Sequence, residues 1–520
     1  MGREGGQRPG DGSLAADYQA MTTNILAAED SRSRWGWVVI ILLGAMAVAA
    51  IILSPETGWL AVGLIAALVL LSLASEVFKG RIDQLILYWA ALFPLGGFIA
   101  FPPEHAIVTF ERDVLFVAVI GLMFTRPSTL VPIPRPFRKA GLAGGAFIAV
   151  AGLTILKLPD PLNPARNLID CFLVPLGFAW IVLAWCDVRR WIPRLHTAVC
   201  TSSIISAAIA AVQVVTGKDL MGTPATDMSY AGDIPRANGP FATNDELALI
   251  GGISLFFLLF LRTALGRKIS VGRRLFHSIG LAAAVGMTLM PMFRSVLITL
   301  VIVLVIDTFW EKKAGGRAGR IALIAAIAGS IFVGSILLPQ VFEDRSGAEN
   351  GYARVAQYEQ NFKVFADHPL LGVGFFNFHN YVSGESEYVT SYGGVQSVDW
   401  PHSNLGEALT ETGLAGFVPY IALHVLLVTA MWQLRRKSAS GRLVWKFFFF
   451  MLLIYWIPGL EESSGFEPSV NTWYAFAAAV LYKYALTEPF SPPAENQFYE
   501  RGLRVPARAY SPAVNRSGLE

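Results

Sequence analysis

The sequence predicts an all-α polytopic integral membrane protein, and two observations lead to that prediction. Of the 520 residues, 54% are hydrophobic and only 15% are charged, whereas soluble domains typically carry about 25% charged residues. Apolar runs of about 17 to 25 residues recur along most of the chain, and each can cross a hydrocarbon core of about 30 Å as a helix. We therefore expect about 12–14 transmembrane helices.

The predicted spans lie at about 35–53, 58–78, 83–101, 106–125, 140–158, 168–186, 192–215, 243–262, 275–291, 295–310, 320–338, 409–432, 446–459 and 473–486. The fourth span contains Glu111, Arg112 and Asp113. Ionisable residues inside a span face a protein interior or an aqueous cavity and often have a function. The alternative is that these three side chains neutralise one another.

The distribution of charge predicts the topology. Segments 1–34 and 487–520 are polar or proline-rich and are predicted to be disordered tails, so the membrane domain covers 35–486. Lys and Arg concentrate in alternate short loops, which places both termini in the cytoplasm. The long 339–408 loop, between the eleventh and twelfth spans, is then periplasmic, and its aromatic residues and glycines predict a packed segment with tight turns.

The cysteines and histidines do not predict a metal site. Cys171, Cys186 and Cys200 lie in or at the ends of apolar segments, without metal-ligand spacing. The histidines of the 339–408 loop are scattered, and no acidic pair repeats at the spacing of a divalent-metal site. The sequence therefore predicts neither a metal nor a cofactor.

One polar stretch lies just before the twelfth span: "PHSNLGEALTETGLAG", residues 401–416. Asn404 followed by Glu407 fits a helix N-cap, so His402 lies beside a helix N-terminus. The positive end of the helix dipole favours the neutral imidazole, which can accept a proton. The alternative is that His402 only caps the helix or contacts lipid headgroups.

The helix that follows has two features. Glu407 and Glu411 are four residues apart and share a face, where either can orient His402 or accept hydrogen bonds from the hydroxyl groups of a ligand. A glutamate near a helix N-terminus, Glu407 above all, also has the simpler role of complementing the dipole. Gly413 and Gly416 are predicted to lie on one face and to permit close approach by a neighbouring helix.

This stretch resembles the O-antigen ligase and polymerase family of bacterial membrane glycosyltransferases. The family motif is His, then Asn, Ser or Gln, nine residues, Gly, two residues, and Gly, Thr or Tyr. Here it reads His402, Ser403, nine residues, Gly413, Leu414, Ala415, Gly416. Three upstream stretches are also similar, in the same order: "RANGPFATNDELA", "FRSVLI" and "ARVAQYEQNFKVFADHPLLGVGFFNF". The resemblance covers about residues 236 to 432.

The resemblance implies a metal-independent glycosyltransferase at the periplasmic face of the bacterial inner membrane. Such enzymes transfer a glycan from a polyprenyl-pyrophosphate carrier to an acceptor hydroxyl. It implies that Arg236, Arg294 and Arg354 bind the pyrophosphate, since guanidinium binds phosphate in bidentate fashion and stays charged. It also implies that His402 is the general base. An arginine at a membrane boundary can instead extend to the headgroups with no special role.

Three functions remain open at this stage. A ligase transfers a finished glycan to lipid A–core, whereas a polymerase joins repeat units of an O-antigen or exopolysaccharide onto a growing chain. A non-enzymatic lipid or polysaccharide transporter would place ionisable residues and broken helices near the membrane midplane. The expected partners are the lipid-linked donor, the acceptor and membrane lipids, with no nucleic acid. Convergence of Arg236, Arg294 and His402 at one cavity would favour the enzyme.

Overall fold

The computed structural model describes residues 82–99, 109–125, 133–218, 230–231, 234–266, 269–310, 347–397 and 400–487. The predicted spans at 35–53, 58–78 and 320–338 lie outside the described residues. So do both predicted tails, apart from Thr487.

The described chain is mostly helical. Its α-helices, numbered in chain order, are α1 (Ile82–Leu92), α2 (Phe110–Thr125), α3 (Arg135–Ile155), α4 (Leu162–Leu168), α5 (Val174–Trp185), α6 (Val188–Thr216), α7 (Asn244–Ala264), α8 (Val271–Leu289), α9 (Arg294–Trp310), α10 (Gly347–Asp367), α11 (Phe378–Gly384), α12 (Asn404–Arg435), α13 (Ala439–Trp456) and α14 (Pro468–Leu486). A π-helical segment, Ile169–Leu173, joins α4 to α5. Short 3₁₀ turns follow α1 and α13.

Every predicted span that falls on described residues coincides with a helix. Among the described residues, six helical segments are long and apolar enough to cross a membrane, which supports a polytopic membrane protein; they are Arg135–Ile155, Leu162–Trp185, Val188–Thr216, Asn244–Ala264, Asn404–Arg435 and Ala439–Leu460. The third predicted span is a short helix, α1, that ends in a 3₁₀ turn at Phe93–Ile99. The apolar run there is longer than the helix that forms, because its end "FPLGGF" contains proline and glycine.

Helix α7 lies at the centre of the bundle, where α6, α8, α13 and α14 all pack against it. Its sequence is apolar on every side, as expected for a helix surrounded by protein. Aromatic rings fill the adjacent space between α1, α5 and α14: Trp89 contacts Phe178 at 4.1 Å between ring centroids, and Phe93 stacks on Trp473 at 4.7 Å. The Trp473 indole also donates to Ser254 Oγ of α7 at 2.9 Å. Apolar contact and a buried hydrogen bond therefore join α14 to the central helix.

Arg112 of the predicted fourth span has a partner outside the Glu111–Arg112–Asp113 cluster. Arg112 pairs with Asp170 of the π-helical segment, at 2.9 Å for Nε and 2.5 Å for Nη2. The partner is distant in sequence, so spacing along the chain did not reveal it. This bidentate pair connects α2 to the segment that precedes α5.

The described residues 347–397 form a packed layer, which we call the outer layer. It contains α10, α11 and a two-stranded hairpin, β3 (Ser391–Tyr392) and β4 (Val395–Gln396), turned by Gly393 and Gly394 with φ of 59° and 84°. Two consecutive positive φ values are typical of a type I′ turn and favour glycine. A second hairpin pairs β1 (Tyr230–Ala231) with β2 (Ile234–Pro235). Strands of two residues are too short to give an alternating pattern, so the sequence did not predict them.

Helix α12 is broken at Gly413, which has φ of 58° and ψ of −167°. In a continuous helix, the N–H groups of Leu414 and Ala415 would bond to the carbonyls of Thr410 and Glu411. The segment 369–374, which we call the insert, separates these pairs and satisfies all four groups. Its four hydrogen bonds are Leu414 N to Pro369 O, Ala415 N to Leu370 O, Val373 N to Thr410 O and Gly374 N to Glu411 O, at 2.9–3.1 Å.

Candidate functional site

Three arginines from distant parts of the chain line one cavity of about 500 Å³. They are Arg236, Arg294 and Arg354, the residues for which the resemblance implies pyrophosphate binding. Three acidic residues line it as well: Asp245, Glu461 and Glu462. The cavity therefore has equal numbers of cationic and anionic side chains, and it suits a ligand that offers both negative charge and hydroxyl groups.

Arg236 lies just before α7, and the local fold determines its position. The side chain of Gln213, near the end of α6, accepts from the backbone N–H groups of Asn238 at 3.1 Å and Gly239 at 2.6 Å. Arg236 is only 7% exposed, and its Nε donates to the Pro291 carbonyl at 3.0 Å. The arginine is therefore held between α6 and the loop that follows α8.

Arg294 is the first residue of α9, directly after that same loop. Met292 has φ of 53°, an uncommon conformation for a non-glycine residue, and it turns the chain between α8 and α9. The Pro291 carbonyl accepts from both Arg236 Nε and Asn244 Nδ2, the latter at 3.4 Å. One turn thus fixes the two arginines relative to each other.

Arg354 lies on α10, which docks on the segment that joins α13 to α14. Its Nη2 pairs with Glu462 Oε1 at 2.5 Å. One turn further along α10, the Tyr358 hydroxyl donates to the Leu460 carbonyl at 2.7 Å. The outer layer therefore contributes the third arginine to a cavity otherwise formed by the helix bundle.

His402 is not among the residues that line the cavity, but one bond connects it to the cavity wall. Its Nδ1 lies 2.9 Å from Oε2 of Glu462, the carboxylate that also pairs with Arg354. The three side chains are 22–28% exposed. We call this arrangement the His402–Glu462–Arg354 chain.

The charge of Glu462 determines the tautomer of a neutral His402. Burial raises the pKa of Glu462, but the hydrogen bond with His402 and the charge of Arg354 outweigh it and lower the pKa below its ordinary value. An ionised carboxylate only accepts hydrogen bonds. In the neutral imidazole, Nδ1 must then carry the proton and donate it to Glu462, which leaves Nε2 as the nitrogen able to accept a proton.

The backbone also constrains His402, which has φ of 45°. This left-handed conformation is uncommon outside glycine and persists only where the surroundings enforce it. On one side, Asn361 of α10 donates to the Pro401 carbonyl at 2.9 Å. On the other, Ser403 caps α12 by accepting from the Gly406 N–H at 2.8 Å. The direction of the imidazole is therefore set by two elements at once.

The predicted N-cap is displaced by one residue, because Ser403 rather than Asn404 caps α12. The Asn404 side chain instead accepts from the backbone N–H of Gly465, in the segment before α14. The local pattern admits either residue as a cap. The tertiary hydrogen bond to Gly465 decides between them.

Glu407 and Glu411 are buried, and neither bonds to His402. Glu411 accepts from the backbone N–H groups of Phe376 at 2.7 Å and Phe378 at 3.3 Å, directly after the insert. The carboxylate that bonds His402 is Glu462, to which sequence analysis assigned no role. It lies 60 residues from His402 and 108 from Arg354, so no local pattern could have identified it.

The two motif glycines have different surroundings from those predicted. The neighbour at Gly413 is the insert, because a Cβ there would overlap the Leu370 carbonyl group. A Cβ on Gly416 would overlap the side chain of Thr412 on α12 itself. The glycines therefore do not share one face of a continuous helix. Gly413 is needed where the helix breaks.

A different cluster has the donor atoms that a metal ion requires. Among the described residues, His196, Cys200 and His277 form a group whose ligand atoms all lie within 4.8 Å of one another. His196 and Cys200 are on α6, toward the opposite end from Gln213. At about 1.5 Å per residue, the two α6 members of the cluster lie about 20–25 Å along the helix from Gln213.

Comparison of the chain with models of known protein families and with curated proteins finds no match.

Proposed function

We propose that this protein is an O-antigen ligase-like glycosyltransferase that transfers a glycan from a polyprenyl-pyrophosphate carrier to an acceptor hydroxyl. The observation that supports this most is the cavity, where Arg236, Arg294 and Arg354 meet Glu462, the hydrogen-bond partner of His402. Guanidinium groups suit a pyrophosphate, and an imidazole with a free Nε2 suits an acceptor hydroxyl.

The proposed reaction needs no metal. His402 Nε2 takes the proton of the acceptor hydroxyl while that oxygen attacks the anomeric carbon of the donor sugar. The bond from this carbon to the phosphate oxygen breaks, and the lipid pyrophosphate leaves with the bonding electrons. The arginines stabilise the negative charge that develops on it. Glu462 stabilises the imidazolium that forms on His402.

The helix termini favour the same ligand. Helices α7 and α9 both begin at the cavity, at Asn244 and Arg294. Helix N-termini carry partial positive charge and orient backbone N–H groups toward an anion. Together with the three guanidinium groups, they favour a diphosphate over a neutral ligand. The cavity carboxylates Asp245 and Glu461 suit sugar hydroxyls, which donate hydrogen bonds to them.

Two versions of the enzyme remain, a ligase acting on lipid A–core and a polymerase of O-antigen or exopolysaccharide repeat units. We favour the ligase because the His402 motif fits that pattern at each position. Deletion of the protein in its host separates them by analysis of the glycans. Finished polymer left on its carrier supports the ligase, whereas accumulation of single repeat units supports the polymerase.

The transporter is a second candidate, because discontinuous helices are common at transporter binding sites and α12 is broken at Gly413. In transporters the freed backbone groups face the substrate. Here the insert satisfies the freed groups of Thr410, Glu411, Leu414 and Ala415. The break therefore attaches the outer layer to the bundle, and the enzyme accounts better for the cavity.

The test is glycan transfer by the purified protein in nanodiscs, with a polyprenyl-pyrophosphate-linked glycan and an acceptor lipid. We expect His402→Gln to lower the chemical step by about 10²- to 10⁴-fold, because glutamine keeps a hydrogen bond but loses the basicity. His379→Gln is the matched control: this exposed histidine of the same outer layer stacks on Trp400 at 5.2 Å between ring centroids. Full activity of His402→Gln would exclude proton abstraction by His402. Binding of the carrier without any transfer by the wild type would favour the transporter.

A further inference from the structure

A second site lies in the helix bundle, on α6 and α8. His196 and Cys200 are four residues apart on α6, so they share a face, and His277 faces them from α8. His196 Nε2 lies 3.1 Å from His277 Nδ1 and 3.8 Å from Cys200 Sγ. All three residues are buried, and His196 is 0% exposed. Three metal-ligand side chains from two helices thus place their donor atoms within 4.8 Å of one another in a buried region.

The distances fit one shared ion. A metal ion such as Zn(II) binds imidazole nitrogen at about 2.0–2.1 Å and thiolate sulfur at about 2.3 Å. Donor atoms that share such an ion therefore lie about 3.3–3.8 Å apart. The 3.8 Å separation of His196 Nε2 from Cys200 Sγ lies in that range, the 3.1 Å separation of the two imidazole nitrogens lies just below it, and all three donor atoms lie within 4.8 Å of one another. The 3.1 Å contact also fits a hydrogen bond between two neutral imidazoles. A metal titration is therefore needed to distinguish a bound ion from a hydrogen bond.

Gly280 brings α8 close to the thiol. It lies three residues after His277, and a Cβ added there would be 2.7 Å from Cys200 Sγ and 2.9 Å from Cys200 Cβ. Any other residue would push α8 away from α6 at this point. The Nδ1 atom of His196 is buried without a hydrogen-bond partner. Among the described residues no group accepts from or donates to Nδ1, so the tautomer of His196 depends on what Nε2 contacts, either the His277 ring or a bound ion.

The charges nearby favour a monovalent ion. Arg262 and Arg273 are close enough for their positive charges to act on His196. A dication bound by one thiolate and two neutral imidazoles leaves a net positive charge, which is costly in a buried place beside two arginines. Cu(I) with the same ligands is electrically neutral. Thiolate is also a soft ligand that favours Cu(I) and Zn(II) over harder ions, so the preference for Cu(I) rests on the charge balance.

We propose that His196, Cys200 and His277 form a binding site for a thiophilic d¹⁰ cation, with Cu(I) preferred over Zn(II). Binding releases the Cys200 proton to solvent and leaves a thiolate. The ion joins α6 to α8 about 20–25 Å along α6 from Gln213, which holds the loop of Arg236, so this site does not depend on the proposed glycosyltransferase activity.

The experiment uses the full chain in nanodiscs, stripped of metal and titrated with Cu(I) against a chromogenic chelator under anaerobic conditions. We expect the wild type to hold one Cu(I) per chain. Cys200→Ser and His277→Phe should weaken binding by more than about 100-fold, since even outer-sphere partners of metal ligands contribute about 10- to 100-fold. Cys186→Ser is the matched control, because Cys186 is buried but lies outside the cluster. A Cys200→Ser variant that binds like the wild type would overturn the site.

X-ray absorption on the wild type needs no variant that might misfold. One sulfur and two nitrogen neighbours around copper are expected, and a copper shell without sulfur would refute the proposal. The same titration with Zn(II) tests the choice of ion. Tighter retention of Zn(II), lost in Cys200→Ser, would keep the site and overturn the preference for Cu(I). Wild-type protein that holds neither ion against the chelator would show that the imidazoles only form a hydrogen bond.

Discussion

Replacement of Glu462 by glutamine tests the His402–Glu462–Arg354 chain. The carboxylate accepts from His402 Nδ1 at 2.9 Å and from Arg354 at 2.5 Å. A hydrogen bond to a charged group contributes about 1.5–3 kcal/mol. If the bond to His402 reaches its full strength only when the imidazole is protonated in the transition state, its loss lowers kcat by about 10- to 150-fold. An amide that presents its NH₂ group to Nδ1 would reverse the tautomer, and the loss would then approach about 10⁴-fold.

The assay is single-turnover glycan transfer in nanodiscs by four proteins: the wild type, Glu462→Gln, His402→Gln and the double variant. Because Glu462 acts through His402, the double variant should be no slower than His402→Gln alone. Glu359→Gln is the control, since Glu359 forms only an exposed pair with Lys363 at 3.7 Å, worth about 0–1 kcal/mol. Wild-type kcat in Glu462→Gln, or fully additive losses in the double variant, would refute the argument.

Four further predictions concern Arg294, the break in α12, the ionisation of Glu462 and the membrane topology. Arg294→Lys should lower transfer by about 10- to 100-fold while the protein still inserts, because lysine keeps the charge but loses the bidentate fork; wild-type turnover would indicate plain membrane anchoring. Gly413→Ala should lower the free energy of unfolding by at least about 2 kcal/mol, whereas Gly384→Ala, with open space and no positive φ, should be neutral in the same denaturation assay. Because the pKa of Glu462 is depressed in the folded protein, its stabilising effect should be complete above the ordinary value of 4.5 and disappear as pH falls below it; a thermal-midpoint difference between wild type and Glu462→Gln that grows toward acid pH would contradict this. Reporter fusions should give a cytoplasmic signal at Ser440 and a periplasmic signal at Gly384, and the reverse pattern would overturn the topology.

The apolar runs predicted the helices of the bundle well, because a helix that is buried in a bundle or crosses a membrane requires apolar residues. The arginines and His402 were also identified from sequence, as parts of short motifs. Convergence of Arg236, Arg294 and His402 at one cavity was only a hypothesis, and of these three the cavity is lined by the two arginines and not by His402. Nothing local indicates that Arg236 and Arg294 both lie at the Pro291 turn. That geometry depends on contacts between residues far apart in the chain.

The features that sequence analysis missed also depend on contacts between residues far apart in the chain. In the sequence, Glu462 is one acidic residue in a short loop. Nothing near it indicates its two partners, because one comes from α10 and the other lies just before α12. The break at Gly413 was hidden because the apolar pattern continues through it. The two histidines of the metal-ligand cluster, His196 and His277, are 81 positions apart. The one local signal was that Cys200 follows His196 by four residues, about one helical turn, and this signal is weak without a third ligand.

The insert at Gly413 has a consequence for local unfolding. Its hydrogen bonds to Thr410, Glu411, Leu414 and Ala415 are backbone bonds inside a helix of the bundle, so the insert cannot detach without opening that helix. Surface loops usually exchange their amide hydrogens rapidly, whereas groups that open only with a helix exchange at its rate. We therefore expect the amides of Val373 and Gly374 to exchange as slowly as those of α12, although flanking residues of the outer layer exchange quickly.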